Sequence, residues 1–218
     1  MTPLRRNRAR LRLLLEPALI LVLLSWYWLC RRRRIVWKRR AGSLALRNLA
    51  TLARNAAFML SGSDLLVRGD LPPRDQGAII YSIHFGVWEL VPRALSNRGY
   101  RLGILTNQYP LSWGRAVNRF LRRFRCAGGI RIFYPDEVRS IVEFLRAGGL
   151  FAVLVDGNDL YSKLAPIRKL SLVCAVPLIP FAAYQNRGCG LVTIGSDLDR
   201  LVQDRPCDYL WAYRSRES

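Results

Sequence analysis

Short apolar runs and stretches of helical spacing alternate along the chain from Gly77 on. The runs at 78–83, 100–105, 130–133, 150–155, 176–183 and 190–194 have strand length and few polar interruptions. Such runs suit strands buried on both faces. Between them, 87–97, 112–124, 135–147 and 164–175 carry apolar residues at helical spacing, the third opened by Pro135-Asp136-Glu137, good first-turn residues. A short strand at 65–68 and a loop at 71–77 come earlier. The alternation predicts an α/β fold, a mostly parallel sheet flanked by helices.

Upstream the pattern changes. Residues 41–60 place Leu44, Leu46, Leu49, Leu52, Ala56 and Leu60 among Arg47, Asn48, Arg54 and Asn55, the spacing of an amphipathic helix lying on the domain or on a bilayer. Ser61-Gly62-Ser63-Asp64 ends it. Residues 13–30 form an apolar run close to the minimum spanning length, interrupted near its start by Glu16-Pro17. Trp26, Tyr27 and Trp28 stand near one end, where amphipathic rings prefer the headgroup zone. No small-residue cleavage pattern follows, only Arg31-Arg32-Arg33-Arg34. The run therefore predicts an uncleaved N-terminal hydrophobic anchor helix, either spanning or deeply embedded. Three parts result: an anchor over 1–40, a connecting helix over 41–62 and an α/β domain over 63–218.

Charge supports the membrane reading. The formal net charge is +20, and residues 1–40 hold twelve of the 35 Arg and Lys against the single acid Glu16. Basic blocks on both sides of an apolar segment suit an anionic headgroup layer better than nucleic acid. The five cysteines are scattered without a C-x-x-C pair, as fits reduced thiols in the cytoplasm. With one histidine in the chain, a zinc site of the usual Cys/His spacing is not expected, and no metal is assigned.

That histidine is His84, in Ser82-Ile83-His84-Phe85-Gly86-Val87-Trp88-Glu89-Leu90, directly after a strand run and before a helical one. Open α/β sheets place their chemistry where strands end and helices begin. As the sole imidazole, His84 is the natural neutral base near pH 7. Glu89, one helical turn on, is a candidate to orient it, because a carboxylate fixes a tautomer and stabilises an imidazolium. No G-x-S-x-G elbow and no phosphate-binding glycine loop occurs, which removes serine hydrolases and P-loop enzymes.

The string from His84 to Leu90 resembles the His-Phe-Gly-Asn-Trp-Glu-Leu block of the lipid A lauroyl/myristoyl acyltransferases, within the lysophospholipid acyltransferase superfamily. Arg47-Asn48-Leu49 after a basic-flanked anchor, Leu145-Arg146-Ala147-Gly148-Gly149 before a strand that leads to Asp156, and Tyr209-Leu210-Trp211-Ala212-Tyr213-Arg214 are similar to further elements of that family. Val87 replaces the block's Asn, and no Phe-Phe-Gly segment lies between Asp156 and Val176. The resemblance implies a membrane-associated O-acyltransferase of the bacterial inner membrane, its domain on the cytoplasmic side. An acyl chain would pass from acyl carrier protein or coenzyme A to a hydroxyl of a lipid or glycolipid such as a lipid A precursor. It implies His84 as general base assisted by Glu89, and no cofactor beyond the acyl thioester co-substrate. Arg115 and Arg119 on the basic helix, Arg131 at a strand start, Asp156 and Arg214 are the candidate substrate-binding residues, for an acidic carrier or phosphorylated acceptor. The alternative is a catalytically inactive, membrane-anchored binding protein on the same fold.

Overall fold

The computed structural model describes residues 42–61, 65–106, 129–156, 161, 163–186 and 189–209, together with Leu15 and Ala18, both helical. The anchor run and the basic helix at 112–124 otherwise lie outside the described residues. Among the described residues, no helix is long and apolar enough to cross a membrane.

Helix α1 (Gly42–Leu60) leads to β1 (Leu65–Arg68) and β2 (Ala78–Ser82). A 3-10 turn (Trp88–Leu90) opens α2 (Val91–Ser96). Strands β3 (Leu102–Leu105) and β4 (Arg131–Phe133) precede α3 (Val138–Arg146), β5 (Leu150–Leu154) and α4 (Leu164–Cys174). Strands β6 (Leu178–Asn186) and β7 (Cys189–Ile194) are followed by α5 (Leu198–Asp204) and a 3-10 turn (Pro206–Asp208).

The strands form one seven-stranded sheet in the order β1-β7-β6-β2-β5-β3-β4. All neighbours are parallel except the hairpin β6–β7. The alternation in the sequence thus becomes the mostly parallel sheet it predicts. Central strand β5 is apolar throughout, and β2 is apolar up to Tyr81 and Ser82, because both faces are covered. Ile79, Ile83, Phe151 and Val153 point to the side packed by α3, α4 and α5 through Phe144, Ile167 and Leu198. Ala78, Ile80, Leu150 and Ala152 point to the other side, against Leu90, Val91 and Leu95 of the 3-10 turn and α2 and Phe58 of α1.

Three differences from the sequence pattern have local causes. Pro135-Asp136-Glu137 forms a turn ahead of α3 rather than its first turn: the Glu137 amide donates to the Tyr134 carbonyl at 3.0 Å, and the Tyr134 amide donates back to the Glu137 carboxylate at 2.8 Å. Helix α5 goes unpredicted, although Asp197 is a good N-cap and accepts from the Arg200 amide at 3.0 Å. Its apolar positions Leu198, Leu201 and Val202 have helical spacing, but they span little more than one turn. Helix α1 forms, but its polarity is partly inverted. Asn48 and Asn55, seven apart on one face, are 0% and 2% exposed, whereas Arg47 and Arg54 are exposed.

Candidate active site

Strand register decides what His84 meets. Ser82, the last residue of β2, pairs with Leu154, the last residue of β5, and the Val155 amide donates to the Ser82 carbonyl at 2.8 Å. His84 and Asp156 each lie two residues further on, so the two strands carry them past the sheet edge side by side. His84 Nδ1 lies 2.8 Å from Asp156 Oδ1, and the His84 amide donates to Asp156 Oδ2 at 3.0 Å. One carboxylate holds both the ring and the backbone of the same residue. Asp156 is fully buried, while the His84 side chain keeps 14% of its surface exposed.

A carboxylate accepts hydrogen bonds, so this contact favours the tautomer with its proton on Nδ1. The carboxylate at Nδ1 is that of Asp156, which the sequence places only among the substrate-binding candidates. Glu89 stands in the 3-10 turn next to Trp88, whose ring meets the His84 ring edge-on at 5.2 Å and 77°.

The loop carrying His84 is pinned on both sides. The Phe85 amide donates to the Ile83 carbonyl at 2.7 Å, closing a γ-turn centred on His84. The Gly86 amide donates to the Asp208 carbonyl and the Val87 amide to the Ala183 carbonyl, each at 2.8 Å. Phe85 pairs with Tyr209 and Gly86 with Ala183, so residues 85–87 run between β6 and the segment 208–209. Gly86 adopts φ +64°, and a Cβ there would stand 2.0 Å from the Ala183 carbonyl oxygen. Only glycine meets both conditions.

Beside this loop, on the α2 side of the sheet, is a cavity of about 60 Å³. Trp88, Glu89 and Pro92 form one wall, and Ile104, Ala152 and Phe181 are part of its apolar lining. Glu89 is thus a carboxyl group on the wall of a largely apolar pocket.

The remaining candidates fall differently. Arg131 is exposed at the start of the edge strand β4, its guanidinium 4.6 Å from the Phe133 ring centroid. Through the register Arg131–Gly103–Phe151–Ile79 it is level with a residue five positions before His84, three strands away. That places it roughly 20 Å from His84, at the opposite edge of the sheet, and removes it from the site. Arg115, Arg119 and Arg214 lie outside the described residues. Among the described residues, no group of three or more His, Cys, Asp or Glu could hold a metal ion.

Behind Asp156, Tyr161 donates to Asp199 at 2.9 Å, and the Lys163 amide donates to the Val155 carbonyl at 2.8 Å. Burial, then the bond to Asp199, raises the Tyr161 phenol well above its ordinary value. Burial likewise raises Tyr81, and the charge of Arg168 partly offsets it. Sequence reasoning passes over Tyr161 and Asp199, which are 38 residues apart with no motif to link them.

No protein-family model and no curated protein sequence matches the chain. Among solved structures, it is similar to the 1-acyl-sn-glycerophosphate acyltransferase of Thermotoga maritima, at 14% identity and a TM-score of 0.43, over 82% of this chain and 85% of that one.

Proposed function

We propose that the protein is an O-acyltransferase, with His84 as general base and Asp156 as the group that orients and charge-balances it. The observation that carries this reading is the two-point clamp of Asp156 on His84, at a loop whose next residues, Trp88 and Glu89, line an apolar cavity. The likeness of the His84–Leu90 string to the acyltransferase block supports the same chemistry.

In the reaction, Nε2 takes the proton of an acceptor hydroxyl as its oxygen attacks the carbonyl carbon of an acyl thioester. The new C–O bond gives a tetrahedral oxyanion, which collapses with cleavage of the C–S bond. The departing thiolate takes the proton back from the imidazolium, so His84 ends as it began. Asp156 stabilises the imidazolium between these steps. Trp88 and the cavity wall exclude water from the ring, and an apolar pocket suits the first carbons of an acyl chain. Glu89, on that wall, is assigned to contact with the acceptor. The donor is an acyl carrier protein or coenzyme A thioester, and the acceptor a lipid or glycolipid such as a lipid A precursor. Both would be met at the cytoplasmic face of the bacterial inner membrane, where the basic, apolar segment 1–40 suits attachment.

General-base help is worth about 10²–10⁴-fold. His84→Ala is expected to lower acyl transfer by that factor while the protein still folds and fractionates with membranes. Lipid mass spectrometry of cells carrying the wild type, the variant or neither would show a species one acyl chain heavier in the wild type alone. Full activity of the variant overturns the mechanism.

A further inference from the structure

Asn48 stands on the buried face of α1, far in sequence from everything around it. Its Nδ2 donates to the Cys207 carbonyl at 2.8 Å and to the Tyr209 carbonyl at 2.7 Å. Two carbonyls facing one amide admit only the NH₂ end, so the orientation of the side chain is settled by its partners. Oδ1 is buried without a hydrogen-bond donor among the described residues. The two bonds straddle Asp208, whose carbonyl accepts the Gly86 amide, and Tyr209 itself pairs with Phe85. Phe85 and Gly86 directly follow His84. Arg205 braces the same segment, bonding Asp208 at 2.6 Å and the Gln185 carbonyl at 2.8 Å.

We propose that Asn48 is a positioning residue for His84: by fixing segment 207–209 it fixes the Phe85–Gly86 backbone, and so the angle at which the imidazole meets Asp156. This rests on the reading of His84 as the base. Asn48 touches neither the ring nor the cavity, and acts through two backbone carbonyls and one amide. Helix α1 contributes more than a covering surface, since its contact with the His84 loop is polar and directional. Asn55 offers the internal comparison. Also buried on α1, it accepts from Gln185 Nε2 at 2.9 Å and has no bond to segment 207–209.

The chain's single histidine makes the test direct, because the ¹⁵N spectrum of histidine-labelled full-length protein contains one imidazole. In the wild type, one ring nitrogen is expected to carry a proton and the other none. Asn48→Ala should move the two signals toward each other, the sign of exchange between tautomers, whereas Asn55→Ala should leave them in place. Exchange of the Gly86 amide with solvent should quicken roughly ten-fold in Asn48→Ala and little in Asn55→Ala. An unchanged ring spectrum in folded Asn48→Ala overturns the proposal. So does an equal change in Asn55→Ala, which would mean that only the general docking of α1 matters. Should Asn48→Ala fail to fold, Asn48→Ser keeps one donor, and its ring signals should move in the same direction; no movement there is equally decisive against the proposal. The spectrum reports on His84 whether or not acyl groups are transferred, so a negative result here is distinct from a failed acyl-transfer assay.

Discussion

Asp156 shows how much one residue decides. Its two oxygens divide the work, Oδ2 taking the His84 amide and Oδ1 the ring. In Asp156→Asn the remaining oxygen is claimed by the backbone amide, which has no other role to play. The new NH₂ then faces Nδ1, which must accept, and the ring proton is driven to Nε2. The loop keeps its shape while the base is lost. Acyl transfer should fall about 10³–10⁴-fold with little change in thermal stability, and Glu89→Gln should cost much less. Equal or reversed losses in steady-state assays would return the orienting role to Glu89. His84 was legible in the sequence because it is alone and sits where a strand run meets a helical one. Its partnership with Asp156 was not, because an aspartate ending a strand declares its level in the sheet but not its neighbour. The neighbour depends on strand order, and β2 and β5 are 72 positions apart at the His84–Asp156 contact. Arg131 reads correctly as a strand start, and only the strand order puts that start three strands from β2.

At the scale of elements, strands buried on both faces were easy to read, since apolar runs of their length have few other uses. Helix ends were harder. Helix α4 stops at Ala175, in the left-handed region at φ +53°, with the Ala175 and Val176 amides bonded back to Leu172 and Ser171. A non-glycine residue pays a steric cost there. Ala175 is exposed, so Ala175→Gly has no packing to lose. The substitution should stabilise the protein by about 0.5–1 kcal/mol, net of the extra freedom glycine has when unfolded, as read from urea denaturation. No stabilisation would mean that the turn relaxes in solution. Helix α1 was legible as a helix and misread as a surface. Amphipathic spacing weighs hydrophobicity, and an asparagine that buries itself by bonding to backbone looks polar by that measure.

For the molecule as a whole, the raised tyrosines set its response to alkali. Tyr161 and Tyr81 keep their protons in the folded state at pH values where the unfolded chain, titrating near 10.0, releases them. Their contribution to stability is therefore constant up to about that pH and is lost as the pH climbs beyond it. Thermal melts from pH 8 to pH 11 should show a decline that starts near pH 9 with the Cys174 thiol, which burial also raises, and steepens beyond pH 10, and Tyr161→Phe should soften the steeper part. A decline that is unchanged in Tyr161→Phe would place the alkaline sensitivity elsewhere.

The bond from Asn48 to Tyr209 spans 161 positions, and a ribosome crosses that distance in roughly 10–30 s. Throughout that interval α1 has been synthesised and its final partner has not. The buried face of α1 mixes Ala53, Ala57 and Phe58 with Asn48 and Asn55, and the Asn48 amide has its two carbonyls only once Cys207 and Tyr209 have been made. The contacts that pin the His84 loop to segment 207–209 are therefore among the last the chain can form.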